Sequence, residues 1–231
     1  MSRTSAASMA SGPCPATGTP VQRTPFQRGR SGHRRAEAVA VDIGDELSVQ
    51  RAVTHVVATF GRLYFAVNNA GIPATGHILT EIPVHKWERV LRVNLTGTWL
   101  CLKYQLPVMK QHGGGAIVNV APNGGLYAIP GAPAYVAGKH GVVGLSKVAA
   151  VDYGPDNIRV NALCPALTRT TMFDGVVASA GAQLAEEQAA ITPLRRLADP
   201  GEVAAAAVWL CSPDASYITG TVLSADGGRR A

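Results

Sequence analysis

Tyr135 and Lys139 stand four residues apart in an apolar, glycine-rich stretch running from 134 to 153. Read as a helix, that stretch puts both side chains on one face, since four residues is about one turn. A free phenol, with a pKa of about 10, is a poor base at neutral pH. An ammonium beside it favours the phenolate and brings proton exchange toward a working range. The pair is a candidate acid/base couple; the bland alternative is a helix-surface pair without chemistry. The spacing is common by chance and gains weight from its company. Asn68-Asn69-Ala70-Gly71 follows an apolar run, and Asn94-Leu95-Thr96-Gly97, Ile117-Val118-Asn119-Val120 and Asp226-Gly227-Gly228 come later. Asparagine at 94 is costly inside a helix, because its amide competes with the backbone. Asn69-Ala70-Gly71 ends an apolar run, where open α/β sheets take ligands, and its small residues allow close approach to the backbone.

The elements that must position these groups alternate in type. Strands are predicted at 38–43, 63–67, 116–120, 158–163 and 222–225. Helices are predicted at 46–60, 84–111, from 134 onward, 182–190 and 200–210. In the first helix Val49, Val53, Val56, Val57 and Phe60 share a face. The last helix has a marked start: Asp199 as N-cap, Pro200 at the first position and Glu202 to close a capping box. Alternating strands and helices imply a parallel sheet covered on both faces.

The chain has 231 residues, with 47% hydrophobic and 16% charged, enough for one α/β domain with a sizeable core. No apolar run reaches the roughly 18 residues of a membrane span. Cys14, Cys101, Cys164 and Cys211 form no CxxC pair, which fits idle thiols in a reducing, cytoplasmic compartment. The histidines show no metal-binding spacing. Of the 21 basic residues, six arginines lie in residues 1–36 with no acid among them, leaving 15 basic against 15 acidic in the rest. That first stretch is rich in Pro, Ser, Thr and Gly, lacks hydrophobic periodicity and is predicted to be a disordered tail, with 37–231 the folded domain. A targeting peptide and a phosphate-binding arm are alternatives for it. The prolines and the lack of an amphipathic pattern argue against the first, and the lack of interleaved aromatics against the second, so neither nucleic acid nor membrane is an expected partner.

Taken in order, the quoted motifs closely resemble the short-chain dehydrogenase/reductase family, from about residue 38 to residue 228. The resemblance implies a doubly wound, Rossmann-like α/β sheet and hydride transfer between NAD or NADP and a small-molecule alcohol or ketone. It implies that Tyr135 exchanges a proton with the substrate oxygen. Lys139 would lower the phenol's pKa and hold the nicotinamide ribose, and Asn94 would help fix a proton-relaying water. Asp42 would accept from the adenine amino group and Ile43 would meet that ring through its backbone, with Asn69, Ala70 and Gly71 lining the cofactor. Cys164-Pro165-Ala166-Leu167-Thr168-Arg169-Thr170 resembles the family's PGxxxT loop. There Pro165 opens the loop, and the Thr168 N–H and the Thr170 hydroxyl would reach the nicotinamide carboxamide. Leu126, Tyr127, Ile129, Met172 and Phe173 suggest an apolar pocket wall. A homodimer or homotetramer is expected, because the family uses the tyrosine helix as an interface and Gly138, Gly141 and Gly144 recur along it.

Two departures matter as much as the match. Gly12, Gly18, Gly29 and Gly32 fit no Gly-rich phosphate loop, and no strand is predicted before them, so the first βα unit reads as missing or replaced. The strand at 38–43 then has to pair with 63–67, stand alone or be completed by another chain. A frame shift upstream of residue 37 would account for the composition. The second departure is Pro122, thirteen residues before Tyr135, where the family has a serine that hydrogen-bonds the reacting oxygen. Proline supplies neither hydroxyl nor N–H; Asn123 and Tyr127 are the polar neighbours. Together the departures predict weak cofactor binding and little turnover. The alternative is a non-catalytic homologue, a scaffold subunit or pseudogene product.

Overall fold

In the computed structural model, residues 6–8, 36–74, 76–181 and 183–231 are described. Five parallel strands lie side by side in chain order: β1 (Ala6–Ser8), β2 (Phe65–Asn68), β3 (Gly115–Val120), β4 (Ile158–Pro165) and β5 (Val222–Ala225). The helices are α1 (Glu46–Phe60), α2 (Val84–Leu91), α3 (Gly97–Gln111), α4 (Pro133–Tyr153), α5 (Thr171–Ala180), α6 (Gln183–Ala190) and α7 (Pro200–Cys211).

Alternate residues of the strands serve two cores. Ala66, Ile117 and Val160 face one way, onto Leu102, Leu106 and Met109 of α3 and Ala149 and Ala150 of α4, with Val56 of α1 against them. Phe65, Val67, Ala116, Val118 and Leu163 face the other way, onto Ala207, Leu210 and Cys211 of α7. This period of two, with helices on both sides, is the doubly wound pattern. A buried polar net crosses the sheet. Asn68 Nδ2 donates to Asn119 Oδ1 at 2.8 Å and to Gln105 Oε1 at 3.0 Å, and Asn119 Nδ2 donates to the Ser146 hydroxyl at 3.0 Å.

Local chemistry sets the helix ends. Asp45 caps α1 by accepting from Leu47 N, and Gly61 ends it in the left-handed region at φ 84°. At α7 the Glu202 carboxylate accepts from Asp199 N at 2.9 Å, the expected capping box. The predicted helix over 84–111 is interrupted by a π-turn at Arg92–Thr96, which carries Asn94.

Three expectations are corrected. Residues 38–43 form no strand: the flank of β2 they would pair with is taken by β1, whose Ala6–Ser8 aligns with Phe65 to Val67. Of that segment Ile43 is buried in the core, against Val49, Leu100 and Cys101, and Val41 packs half-buried against the same cluster. A strand does precede Gly12, at Ala6–Ser8, so the first strand is replaced by three small residues. The remainder of the expected tail lies outside the described residues. Finally, the loop after Pro165 contains α5, and the helix expected over 182–190 is observed as Gln183–Ala190, residue 182 lying outside the described residues.

Candidate active site

The site is assembled where β2 and β3 end, against the first half of α4. Val120 closes β3 with its carbonyl pointing at α4, and the Lys139 ammonium donates to it at 3.1 Å. Lys139 is only 2% exposed. After β3 the chain turns through Pro122 into a short 3-10 turn, Asn123–Gly125. Gly124 lies so close to Tyr135 that a Cβ there would sit 2.8 Å from the ring's Cε1. Glycine at 124 is therefore what lets the turn rest on the phenol ring.

From the other side, the chain leaving β2 at Asn68 runs past Gly71. A Cβ on Gly71 would lie 3.0 Å from Asn94 Oδ1 and 3.2 Å from Lys139 Nζ. Three expected site residues therefore converge at Gly71. Asn94 is fully buried, and its amide is doubly engaged: Nδ2 donates to Ile72 O at 2.9 Å and Oδ1 accepts from Ile72 N at 2.8 Å. The π-turn aims that side chain across to β2, a local widening that helices often use at functional positions. Asn94 thus pins the Gly71–Ile72 backbone.

Burial dominates the proton affinities. It pushes Tyr135 up to about 12 and Lys139 down to about 8. The expected lowering of the phenol by its lysine is not what this arrangement produces. The ammonium is held on Val120 O, and desolvation disfavours charge on both groups.

The expected cofactor residues fall in two places. Ile43, Asn69 and Ala70 line one small cavity together with Asn68, Thr98 and Cys101. Asp42 is exposed beside it and accepts from Gly44 N at 2.8 Å. Pro165 ends β4, and the loop beyond it is tied down by Arg169 N donating to Ala198 O at 3.0 Å. The Thr168 hydroxyl donates to Ala166 O at 3.1 Å, and the Thr170 hydroxyl caps α5 by accepting from Phe173 N at 3.3 Å, leaving its own proton to give. These features fit the two ends of a dinucleotide: a cavity beside Ile43, and the loop of Thr168 and Thr170, while the space at Gly71 is taken up by Asn94 and Lys139. The segment expected between them for the pyrophosphate lies outside the described residues.

Other residues escaped the sequence reading. Gly124, Gln105 and Ser146 carry no local signal, because each meets partners distant in the chain, and the quoted motifs holding Asn68 and Asn119 give no hint that the two asparagines join Gln105 and Ser146 in one buried net. Of the expected pocket wall, Phe173 is buried and Leu126 packs against the core, while the Met172 side chain lies outside the described residues.

Known proteins resemble this chain in sequence and fold. The family model described as enoyl-(acyl carrier protein) reductase matches residues 25–230. The chain is 44% identical over 188 residues to 2,5-dichloro-2,5-cyclohexadiene-1,4-diol dehydrogenase of Sphingobium indicum, covering 81% of this chain and 75% of that protein. It belongs to the short-chain dehydrogenase/reductase family. Cyclohexanol dehydrogenase of an Acinetobacter species is 37% identical, over 84% of this chain and 74% of that one. The crystal structure of levodione reductase superposes with a TM-score of 0.81 at 35% identity, covering 83% of this chain and 76% of the other. ElxO with NADP bound gives a TM-score of 0.78 at 34% identity, covering 84% and 77%. The chain is thus an oxidoreductase-family protein with a Rossmann-like fold. No helix among the described residues is long and apolar enough to cross a membrane.

Proposed function

We propose that the chain interconverts alicyclic alcohols and ketones with NAD(P), at a reduced rate, using Tyr135 as the proton-exchanging group. One observation carries the reading: Gly71, Asn94 and Lys139 converge within contact distance of one point, one helical turn along α4 from Tyr135. Similarity to a cyclohexanol dehydrogenase and to a cyclohexadiene-diol dehydrogenase supports the substrate class.

A bound nicotinamide supplies the hydride acceptor for an alcohol or the hydride donor for a ketone. The chain's own residues do the rest. Tyr135, protonated at neutral pH, gives its proton to a ketone oxygen; as phenolate it takes the hydroxyl proton of an alcohol. Lys139 holds positive charge beside the site below pH 8 or so. Asn94 positions the Gly71 backbone, and Asp42, Ile43, Asn69, Ala70, Pro165, Thr168 and Thr170 hold the dinucleotide. Pro122 leaves the reacting oxygen without the hydroxyl donor of the family, a loss of the order of a hundred- to a thousandfold in rate. The missing Gly-rich loop weakens cofactor binding. Pro122 also favours a second reading, a non-catalytic homologue.

The oligomer belongs to this proposal. Val148 and Val151 on α4 are 58% and 76% exposed, and the space around Gly144 is open, so one face of α4 is apolar and unpartnered among the described residues. We assign that face to a dimer contact, and residues 9–35 to a segment apart from the folded domain, which β1 joins by pairing with β2. Calorimetric titration with NADH and NADPH separates the two functional readings: an enzyme binds one of them, and absence of binding at millimolar concentration leaves only the scaffold.

A further inference from the structure

The buried net that joins Asn68, Gln105, Asn119 and Ser146 has a direction. Asn68 exchanges bonds with Gln105 of α3: Gln105 Nε2 donates to Asn68 Oδ1 at 2.8 Å, and Asn68 Nδ2 donates back to Gln105 Oε1 at 3.0 Å. From Asn68 onward the donors all point the same way, to Asn119 Oδ1 and then from Asn119 Nδ2 to the Ser146 hydroxyl. That hydroxyl gives its only proton to Val142 O at 2.7 Å, so it meets Asn119 with a lone pair. The net therefore ends on the backbone of α4. It joins the same elements that touch Lys139. Asn68 ends β2, and the chain beyond it reaches Gly71, where a Cβ would lie 3.2 Å from Lys139 Nζ. Asn119 precedes Val120, whose carbonyl accepts from the Lys139 ammonium at 3.1 Å. Ser146 lies about two turns beyond Lys139 on the same face of α4.

We propose that Ser146 is a positioning residue for the reaction: it fixes the register of α4 against β3 and, through Asn119 and Asn68, against β2, and so keeps Lys139 on Val120 O beside Gly71. Most of the contact between α4 and the sheet is apolar, made by Ala149 and Ala150 against Ile117 and Val160. Apolar contact has no direction and lets a helix slide or roll slightly over a strand. Among the described residues, two side-chain hydrogen bonds tie α4 to β3, Lys139 to Val120 O and Asn119 to Ser146, and they come from consecutive residues of the strand. Without the Ser146 hydroxyl, Asn119 Nδ2 is a buried donor with no acceptor and must turn toward another partner. The end of β3 is then tied to α4 by Lys139 alone. Ser146 is 1% exposed, so solvent does not stand in for its hydroxyl.

The inference rests on Lys139 serving the reaction, and its test is read on the lysine itself, without cofactor or turnover. The full chain is labelled with carbon-13 at lysine Cε. The NMR signal that disappears in Lys139→Met is titrated from about pH 6 to pH 10 in the wild type, Ser146→Ala, Ser146→Thr and Ala149→Gly. The groups that face Lys139 keep their charge over that range: Tyr135 on α4 lies at about 12 and Cys164 on β4 at about 11, while Asn94 and the Gly71 backbone carry none. The wild-type midpoint is expected near 8. Ser146→Ala should lower the proton affinity of Lys139 at least about threefold, because a buried ammonium that loses its acceptor is disfavoured. Ser146→Thr keeps the hydroxyl and the wild-type midpoint. Ala149→Gly loosens α4 outside the net, so it lowers the unfolding temperature and leaves the Lys139 midpoint in place. Should Ser146→Ala fail to fold, Gln105→Leu opens the net from α3 and reads the same signal. A Lys139 midpoint that is unchanged or raised in Ser146→Ala, or that falls as far in Ser146→Thr or Ala149→Gly, overturns the inference. Turnover that persists in Lys139→Met overturns the reading of the site instead, and the titration still judges the hold of Ser146 on Lys139.

Discussion

At Tyr135 and Lys139 burial works in opposite directions, and each direction has a measurable consequence. Tyr135, pushed up to about 12, is a phenol at neutral pH. Ketone reduction should therefore be nearly flat between pH 6 and 8, whereas alcohol oxidation should rise about tenfold per pH unit there; paired pH–rate profiles check this. Lys139 has a folded value of about 8, below its ordinary 10.5. The folded state disfavours its ammonium, so stability is lowest below pH 8 and is regained as pH rises from 8 to 10.5. The raised Tyr135 adds no slope until pH passes its ordinary 10. Lys139→Met should thus be more stable than the wild type at pH 7, by roughly 3 kcal/mol at most. The difference should shrink toward pH 10, as followed by urea unfolding at several pH values. At Gly71, an alanine methyl would press on Asn94 Oδ1 and Lys139 Nζ at 3.0 and 3.2 Å. Gly71→Ala should weaken NAD(P)H binding at least tenfold while costing about 1–3 kcal/mol of stability, measured by calorimetry and denaturant titration.

At the scale of elements, α4 and the π-turn are fitted to one another through glycines. A Cβ on Gly141 would lie 2.7 Å from Leu95 Cδ1, and one on Gly138 would lie 3.4 Å from Asn94 Cβ. Two of the three glycines expected at a subunit interface are thus spent inside the chain, and only Gly144 faces open space. Gly141→Ala should destabilise the fold by about 1–3 kcal/mol, and Leu95→Ala should restore part of it in the double mutant; a thermal-unfolding double-mutant cycle reads the coupling. The sequence made the strongly patterned elements legible. The capping residues Asp199, Pro200 and Glu202 announced α7, and Tyr135 with Lys139 announced the face of α4. Other features had no local signature. Ala6–Ser8 is three small residues with no periodicity, and its strand exists only because β2 offers an edge. Helix α5 carries Gly175 in its interior and passed for a loop. The site's support by Asn68, Gln105, Asn119 and Ser146 depends on contacts between positions far apart in the chain.

For the whole molecule, two boundaries are open to test. If α4's outer face joins two copies, Val151→Glu should convert the oligomer to a monomer in sedimentation at micromolar concentration; a wild type that is already monomeric removes the assignment. If residues 9–35 lie apart from the folded domain, trypsin should cut among Arg23, Arg28, Arg30, Arg34 and Arg35 before any site in 37–231; protection of those arginines argues that the segment is packed. The same departures from the family, Pro122 and the missing phosphate loop, bear on the whole molecule's activity, because substrate and cofactor must be held together for any proton shift at Tyr135 to count. The most direct test is NAD(P)-dependent oxidation of cyclohexanol and the cyclohexanediols by the purified full-length chain and by Tyr135→Phe. A slow wild-type rate that falls at least about a hundredfold in Tyr135→Phe is predicted. A rate unchanged by Tyr135→Phe, or no NAD(P)H binding at all, would contradict it.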